Sequence, residues 1–474
     1  MEKEGFSTLV LPTTFFKGMT AMKKLATLLL AAGMVVAASA PASAVDVKMD
    51  GEYVFTFISG QRLLSGDNFD AAGQRFRLGM TFTASEDLSG YVQLQAGIGE
   101  DDNTSYDWGT NNNAKTKIGV RQAYVDWMIP NTTVKVRMGK QLVGLPTDAF
   151  GKNAIMHPGL NSRDGVVLSS PVTEWLDVTA LWVRAGYGSY DAAEEIVSAG
   201  SNDTSRTPKA DMFAASAAMK FDGFAVTPYV AYGAFDQGAV VQDGPAGKDG
   251  GLAASGDAYW FGVTTTMNYF DPFVLKVSGA YGLANLDGTY DGGANDRSGW
   301  YVQAMSSYKT AYGTPFLGAW YGSGDDRDAQ YAKQGWIPTV GGRFHPSFGF
   351  VPGEYGLYDT QLTAHHAIGG TWGVSAGIKE VSFLENLTHA FSVTMYKGTN
   401  SDGNSLNQNP ITYMTYSDTA IDFNLDTTYM IYKNLAANLQ LAYIINDFDK
   451  DDHADFGKVD EDSWSAALSF AYKF

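Results

Sequence analysis

The sequence lacks cysteine, long hydrophobic runs and a surplus of positive charge. The absence of cysteine is compatible with an oxidising compartment, where a free thiol would be a liability. After residue 44 no stretch is apolar enough for a membrane-spanning helix, which needs about twenty apolar residues. The 33 lysines and arginines are outnumbered by 51 aspartates and glutamates, for a formal net charge of −18. This balance argues against nucleic acid as a partner, because phosphate backbones are bound by clustered basic residues.

The amino terminus has the organisation of a secretory signal. A basic Lys-Lys pair is followed by an apolar region over 25–38 and by an Ala-Ser-Ala sequence that matches a signal-peptidase site. This apolar region is too short for a transmembrane anchor, which needs about twenty residues. The sequence therefore predicts a non-native upstream extension at 1–21, a cleaved signal peptide at 22–44 and export of a mature chain that begins at Val45.

The rest of the chain repeats segments of about ten residues in which alternate positions are apolar, the pattern of transmembrane β-strands. The last segment, 463–474, shows the pattern most clearly, with large apolar side chains on one face and small or polar ones on the other. The same alternation recurs at 45–57, 76–82, 92–98, 134–138, 421–431 and 439–445. A single strand of a soluble sheet alternates in the same way, so it is the repetition that predicts a barrel with a wet interior.

Short and long connections alternate strictly along the chain. Short turns such as Glu86–Asp87 and Lys433–Asn434 are separated by long segments rich in glycine, aspartate, asparagine and serine. Periplasmic turns and extracellular loops of a membrane barrel follow this order. We count nine hairpins and predict an all-β fold, a closed antiparallel transmembrane β-barrel of 18 strands that forms a single domain over 45–474. If the short segments Gly165–Ser170 and Pro315–Tyr321 are not strands, the number falls to 16.

Aromatic residues cluster towards the predicted strand ends, as the interfacial girdles of membrane barrels do. The residues assigned to such girdles are Trp127, Trp182, Trp260, Tyr269, Phe270, Tyr429, Tyr432 and Phe474. Trp300, Tyr301 and Trp320 are candidates for an aromatic track along the lumen. Half of each strand must be apolar in any case, so we expect these three on the lipid-facing side or in a girdle.

Catalytic and metal-binding patterns are weak in this sequence. Gly373–Gly377 has the spacing of a nucleophile elbow, but that motif needs a strand-to-helix turn and here it lies within an alternating strand. The acidic run Asp447–Asp452 begins like a calcium loop, yet Asp452 and Lys458 stand where an EF-hand needs glycine and glutamate. We therefore predict no enzyme activity, no cofactor and no metal site, and we keep a weak divalent site in the acidic run as an alternative.

Two predicted strands place pairs of basic residues on their polar faces. Arg75 and Arg77 share one such face, and Lys135 and Arg137 share that of a neighbouring hairpin. These four side chains should point into the lumen. Arg121 lies on the strand between them, where its neighbours leave its direction open.

A long segment, 141–164, follows the strand that carries Lys135. If it folds inward, it narrows the lumen and sets Asp148 against the basic wall. Charges of opposite sign across a constriction produce a transverse field that orients dipolar solutes and sorts ions by charge. An alternative is that the interior arginines only pair with carboxylates such as Asp126. The predicted constriction consists of Arg75, Arg77, Arg121, Lys135, Arg137 and Asp148.

These features together resemble the Gram-negative trimeric porins. The strand end Gly139-Lys140-Gln141 before a long third loop, the return at 161–166 and the final Tyr-Lys-Phe carry the resemblance, which covers 45–474. The loop texture at 321–326 is similar to that of the homotrimeric porins of sulfate-reducing bacteria. The resemblance implies a homotrimer, an inward third loop and constriction roles for Asp148 and the basic group. Such porins usually have sixteen strands, and a chain with eighteen is closer to sugar-specific barrels.

The carboxyl terminus carries the most specific part of the resemblance. A terminal phenylalanine preceded by apolar residues at alternate positions resembles the signal that the outer-membrane insertion machinery reads. The residues that form this pattern are Leu468, Phe470, Tyr472 and Phe474.

The leading functional hypothesis is a porin in the outer membrane of a Gram-negative bacterium, surrounded by lipid and lipopolysaccharide. Small hydrophilic solutes and ions would diffuse passively through its water-filled channel and its charged constriction. A channel selective for sugars or for an anion is the main alternative. A barrel enzyme and a structural or adhesion barrel are further alternatives from other classes.

Overall fold

The computed structural model describes most of the chain from Val45 onward. The described residues are 45–61, 66–97, 118–146, 154–156, 162–187, 209–236, 255–287, 289–290, 293–294, 296–325, 335–340, 370–401, 413–453 and 459–474. The predicted signal peptide, the predicted upstream extension and Asp148 lie outside them. Within these ranges no helix has the length and apolarity that a membrane crossing requires.

The secondary structure of the described residues consists of β-strands. In chain order they are β1 (Asp46–Gln61), β2 (Asn68–Ser85), β3 (Leu88–Gly97), β4 (Ile118–Met128), β5 (Lys135–Leu142), β6 (Ser162–Thr173), β7 (Leu176–Tyr187), β8 (Lys209–Phe221), β9 (Phe224–Phe235), β10 (Gly256–Met267), β11 (Phe273–Leu286), β12 (Thr289–Tyr290), β13 (Gly293–Ala294), β14 (Arg297–Tyr308), β15 (Thr314–Gly322), β16 (Thr371–Leu384), β17 (Leu387–Gly398), β18 (Thr419–Tyr432), β19 (Leu435–Asp447) and β20 (Ser463–Lys473).

Eighteen of these strands form one closed antiparallel ring, and β12 and β13 form a separate two-stranded hairpin. The ring closes because β1 pairs with β2 on one side and with β20 on the other. Closure leaves no unpaired sheet edge in the ring. The predicted barrel of eighteen strands is therefore confirmed, and the two doubtful segments are strands β6 and β15.

Strand β20 shows how the sequence pattern becomes two faces. Its large apolar side chains point outward and are 36% to 41% exposed, whereas the alternate side chains point inward and are at most 3% exposed. The outward residues are Trp464, Leu468, Phe470 and Tyr472, and the inward ones are Ser463, Ser465, Ala467, Ser469 and Ala471. The predicted alternation is therefore confirmed here, and the barrel has an apolar outer face.

Connections of two kinds join the strands, as the sequence predicts. Tight turns, for example between Ser85 and Leu88 and between Tyr432 and Leu435, define one end of the barrel, which we call the short-turn end. The longer connections lie at the other end, the long-loop end. The Gly373–Gly377 sequence lies within β16, so its assignment to a strand is confirmed.

Several large side chains that were predicted to face lipid lie on the inner face instead. Trp260 of β10 is fully buried there, and its Nε1 donates to the Pro338 carbonyl at 2.7 Å, so its assignment to a girdle is wrong. Tyr301 and Trp320 are also buried on the inner face, contrary to expectation, whereas Trp300 is exposed on the outer face. Adjacent residues of a strand point to opposite faces, so Trp300 and Tyr301 could not both face outward.

At the long-loop end, a buried asparagine joins the connection that follows β15 to the connection between β17 and β18. Asn400 accepts hydrogen bonds at its Oδ1 from Trp336 Nε1 at 2.7 Å and from the Asp325 amide at 2.9 Å. Its Nδ2 donates to the Met414 carbonyl at 2.6 Å. We call Asn400, Trp336, Asp325 and Met414 the loop clasp. They hold the connection after β15 against the connection between β17 and β18.

The acidic run that resembled a calcium loop forms turns around the end of β19. The Asp449 carboxylate accepts the amide N–H groups of Asp451 and Asp452, and the buried His453 Nε2 lies 2.8 Å from Asp418 Oδ2. Among the described residues no group of three or more candidate ligands could hold a metal ion. The structure accounts for this run through its hydrogen bonds within the loop.

Candidate functional site

The five predicted basic residues come together on the inner wall formed by β1 to β5. Register places them there: Arg77 of β2 lies opposite Gln95 of β3, and Arg137 of β5 lies opposite Asp126 of β4. The side chains of Arg75, Arg77, Lys135 and Arg137 point inward, as their positions along the strands predict. Their role in a constriction stays a prediction.

A β-bulge determines the direction of Arg121, which the sequence left open. Gln93 pairs with Gln122 but Leu94 pairs with Val120, so Arg121 is the extra residue of β4. A bulge re-aims side chains relative to the regular alternation. The Nη1 group of Arg121 donates to the inward-facing Gln93 Oε1 at 2.9 Å, which places this guanidinium on the basic wall.

One carboxylate holds the two arginines of β2. Glu52 Oε1 accepts hydrogen bonds from Arg75 Nη2 at 2.8 Å and from Arg77 Nη1 at 3.1 Å. Arg77 also donates from Nε to Gln95 Oε1 at 2.7 Å. Sharing one acceptor keeps two like charges side by side and fixes both guanidinium groups against the wall.

A second carboxylate holds the two basic residues of β5. Arg137 donates from Nε and Nη2 to the two oxygens of Asp126, at 2.6 and 2.7 Å, and Lys135 Nζ lies 2.9 Å from the same carboxylate. The Arg137 guanidinium also lies 4.0 Å from the ring centroid of Tyr124, a cation–π contact. Lys135 and Arg137 therefore both pair with Asp126, and the alternative that pairing is their only role stays a prediction.

Neutral side chains of β3 and β4 extend the second cluster to Arg121. Gln93 accepts from Arg121 and from Gln122 Nε2, and donates from its own Nε2 to the Tyr91 hydroxyl at 3.1 Å. The Tyr91 ring lies 5.3 Å from that of Tyr124, which carries Arg137 on its face. Hydrogen bonds and ring contacts thus hold the basic side chains in two groups, one on β1 to β3 and one on β3 to β5.

The wall keeps an excess of positive charge although its cations are paired. Five basic side chains lie beside the carboxylates of Glu52, Asp126 and Asp50, the last of which lies over Gly79. The formal excess is two positive charges. In a water-filled cavity with low-dielectric walls, such an excess raises the local concentration of anions.

Part of the third loop lies inside the barrel, across from this wall. Thr264 of β10 donates from Oγ1 to the Pro146 carbonyl at 2.5 Å, and Thr264 is on the inner face. Nine steps around the ring separate β1 from β10 in either direction, so Pro146 lies against the wall opposite β1. The predicted inward course is confirmed for Pro146, whereas Asp148 lies outside the described residues.

A second segment, 335–340, enters the barrel and forms a hydrogen bond with the third loop. The Val340 amide donates to the Ile155 carbonyl at 2.8 Å, and the buried Arg163 donates to the carbonyls of Val143 and Val340 at 3.4 and 3.3 Å. The wall makes room for this segment with glycine, since a Cβ at Gly299 would lie 2.3 Å from the Ile337 nitrogen. The interior is therefore shaped by two inward segments fastened to each other.

The sequence predicts the basic residues of the wall better than it predicts the groups to which they bind. Glu52 lies on the polar face of the first predicted strand, but its contact with Arg75 and Arg77 depends on the register between β1 and β2. Arg163 gives no sequence signal, because its acceptors are backbone carbonyls of distant segments. The alternation of side chains along β1 predicts that Glu52 faces inward. Nothing in the sequence pattern predicts that Arg163 binds the carbonyls of Val143 and Val340.

Comparison with known proteins gives similarity at the level of structure. No protein-family model and no curated protein matches the chain. Among solved structures, Pseudomonas aeruginosa OpdQ has a TM-score of 0.53 at 13% identity, over 90% of this chain and 98% of that one. OpdL of the same organism has a TM-score of 0.53 at 13% identity, over 90% and 99%. The P. aeruginosa outer membrane protein opdK has a TM-score of 0.53 at 11% identity, over 90% and 98%. At these identities the likeness shows that the chain has the barrel fold of these proteins.

Proposed function

We propose that the chain is an outer-membrane channel through which small hydrophilic solutes and ions diffuse passively, with a basic wall that favours anions at the narrowest point. The presence of five basic side chains on the inner face of a closed barrel carries this proposal. Fixed charges that line a lumen sort permeating ions by sign. Two inward segments contact the inner face at Trp260 and Thr264, and a lumen narrowed by them would strengthen the field of the wall.

The location in a Gram-negative outer membrane is supported by the outer face. Large apolar side chains cover it, and the strands pair with their neighbours around a closed ring, as hydrocarbon requires. The similar fold of opdK, an outer membrane protein, agrees with this location. The secretory signal, contact with lipopolysaccharide, the homotrimer, the insertion machinery as a partner and the likeness to porins of sulfate-reducing bacteria stay predictions.

Recording from single channels in a planar bilayer under a potassium chloride gradient tests the proposal. We expect discrete conductance steps and a reversal potential of anion sign. Arg121 donates to the neutral Gln93, and Arg121→Gln removes one positive charge from the basic wall. This variant should therefore shift the reversal potential towards the cation side.

Lys276→Gln is the matched control, because Lys276 lies on the inner face of β11, away from the basic wall. This variant should shift the reversal potential less than Arg121→Gln does. A reversal potential of cation sign in the unmodified protein would refute the basic wall as the selectivity element. A protein that inserts without conducting would refute the channel itself.

A further inference from the structure

A buried carboxylate joins the connection between β17 and β18 to the connection between β19 and β20. Asp418 is fully buried, and its Oδ2 accepts hydrogen bonds from the Thr415 amide at 2.6 Å and the Thr415 hydroxyl at 3.2 Å. Its Oδ1 accepts the Asp449 amide at 2.8 Å, and its Oδ2 lies 2.8 Å from His453 Nε2. An ionised carboxylate only accepts hydrogen bonds, so His453 Nε2 is the donor. Donors from two connections thus converge on one side chain.

His453 is buried beside this carboxylate, among acidic groups. Its side chain is 1% exposed, and its ring lies edge-to-face with that of Phe448, with centroids 6.5 Å apart. The other titratable groups around the pair are Asp449 and Asp452 of the same connection, Tyr413 of the connection before β18 and Asp325 after β15. Lys450 pairs instead with Asp460, at 2.7 Å.

Acid changes the charge of these neighbours as well as that of the pair. Burial raises the pKa of Asp452, so this carboxylate takes up a proton at a higher pH than an exposed aspartate does. The negative charge of Asp452 favours the protonated form of His453. Acidification therefore removes one of the charges that support the contact between His453 and Asp418.

The connection that carries Asp418 is also fastened to the connection after β15. The ring of Tyr413 stacks on that of Trp336, with centroids 6.1 Å apart. In the loop clasp, Asn400 accepts from Trp336 Nε1 and donates to the Met414 carbonyl. Residues 413–418 therefore lie between the carboxylate of Asp418 and the indole of Trp336.

Trp336 belongs to the inward segment 335–340. Ile337 of this segment is 2% exposed, and Val340 is fully buried. The Val340 amide donates to the Ile155 carbonyl of the third loop at 2.8 Å. The segment is thus held at one end by the third loop and at the other by contacts that lead to Asp418.

We propose that Asp418 and His453 form a pH-dependent latch that keeps the inward segment 335–340 in place at neutral pH and releases it in acid. As the pH falls, protonation turns one acceptor oxygen of Asp418 into a donor that faces protonated His453, and the two connections lose their common acceptor. As the pH rises, His453 loses its charge but keeps a hydrogen on Nε2, so the latch persists. The latch adds a response to acid to the proposed channel.

An introduced cysteine measures the position of the segment, because the chain has no cysteine of its own. Ile337→Cys places a thiol at a buried position, and a charged maleimide labels it slowly while the segment is held. Asp418→Asn imitates the protonated acid at neutral pH, so in the purified barrel in detergent it should speed labelling by about tenfold or more. Working at one pH keeps the reactivity of the thiol itself constant. Val340→Cys serves if Ile337→Cys does not fold.

Two further variants separate the latch from a general loss of stability. Asp426→Asn is the matched control, because Asp426 lies on the same strand and accepts from Asn438 and Gln440 of β19. It should leave the labelling rate unchanged. His453→Gln keeps an N–H donor but cannot become positively charged, so it should speed labelling by only about threefold.

Single-channel recording tests the response to pH. The unmodified protein should show additional current levels at about pH 4, where aspartates take up protons, and none at neutral pH. Asp418→Asn should show them at both pH values. Equal labelling in Asp418→Asn and Asp426→Asn, or an acid response that persists unchanged in Asp418→Asn, would refute the latch. Faster labelling in Asp418→Asn of a barrel that does not conduct would refute the channel and support the latch.

Discussion

At the scale of single residues, the charge of Asp126 should affect both the stability of the basic wall and its net positive charge. Asp126→Asn leaves Arg137 and Lys135 without their carboxylate and adds one positive charge to the wall. Removing one partner of a charge-assisted pair should lower the free energy of unfolding by about 1 to 3 kcal/mol. The same variant should shift the reversal potential further towards the anion side. Urea unfolding in lipid vesicles and bilayer recording measure the two effects.

The matched control for that substitution is Asp177→Asn. Asp177 pairs with Lys220 at 2.6 Å, but both side chains are well exposed, at 40% and 63%. An exposed pair contributes little, so this variant should lower the free energy of unfolding by less than about 1 kcal/mol. Equal losses in Asp126→Asn and Asp177→Asn would contradict a special role for the wall.

Residue directions could be predicted from the sequence wherever a strand is regular. Parity alone gives the inward direction of Arg75 and Arg137, because successive side chains of a strand point to opposite faces. It could not give that of Arg121, which depends on a bulge that only pairing with β3 reveals. The expectation that large apolar side chains face lipid was wrong for Trp260, because an inward segment contacts this side chain inside the barrel.

At the scale of elements, the loop clasp should control how firmly the connections at the long-loop end are held. Asn400→Ala removes the acceptor of Trp336 Nε1 and of the Asp325 amide and the donor to the Met414 carbonyl, all in a fully buried setting. Each buried group left without this partner costs about 1 to 3 kcal/mol. Limited proteolysis of the folded barrel should then cleave these connections at least tenfold faster.

Asn285→Ala is the control for the clasp, because Asn285 is an exposed residue near the same end of β11. Its cleavage rate should match that of the unmodified protein. An Asn400→Ala variant as resistant as Asn285→Ala would show that the clasp does not hold the loops.

The composition of the sequence predicts where the connections lie along the chain, but it does not predict the path that each connection takes in space. Glycine and aspartate content marked the connections, and the short turns lie where the sequence placed them. The entry of 335–340 into the barrel depends on contacts such as that of Trp260 with Pro338, which are 78 residues apart. No local pattern encodes a contact at that separation.

At the scale of the whole molecule, the number of strands could be predicted because closure restricts it. Each hairpin adds two strands, so the doubtful segments now seen as β6 and β15 could change the number only in an even step. The register that closes the ring pairs Phe55 with Phe470 and Phe57 with Leu468, which places the apolar residues of the last strand beside those of the first. The alternation of apolar residues predicts which face of β1 and of β20 is apolar. That these two strands pair with each other depends on the closure of the whole ring.

The terminal Phe474 belongs to this closure and also to the predicted assembly signal. Its amide and carbonyl exchange hydrogen bonds with Gly51 at 3.0 and 2.9 Å, and its ring stacks on that of Phe76 with centroids 6.2 Å apart. Phe474→Ala keeps the backbone bonds and loses only the ring. If the ring acts chiefly as a signal, the purified variant should refold in detergent as the unmodified protein does.

In cells, by contrast, the amount of heat-modifiable barrel in the outer membrane should fall at least fivefold in Phe474→Ala. Phe261→Ala is the control, because Phe261 faces outward from β10 and is 51% exposed, close to the 47% of Phe474. It loses a similar apolar surface away from the terminus and should reach the membrane normally. If both variants refold poorly in detergent, the rings act through packing; if both reach the membrane in normal amounts, the terminal ring is not a signal.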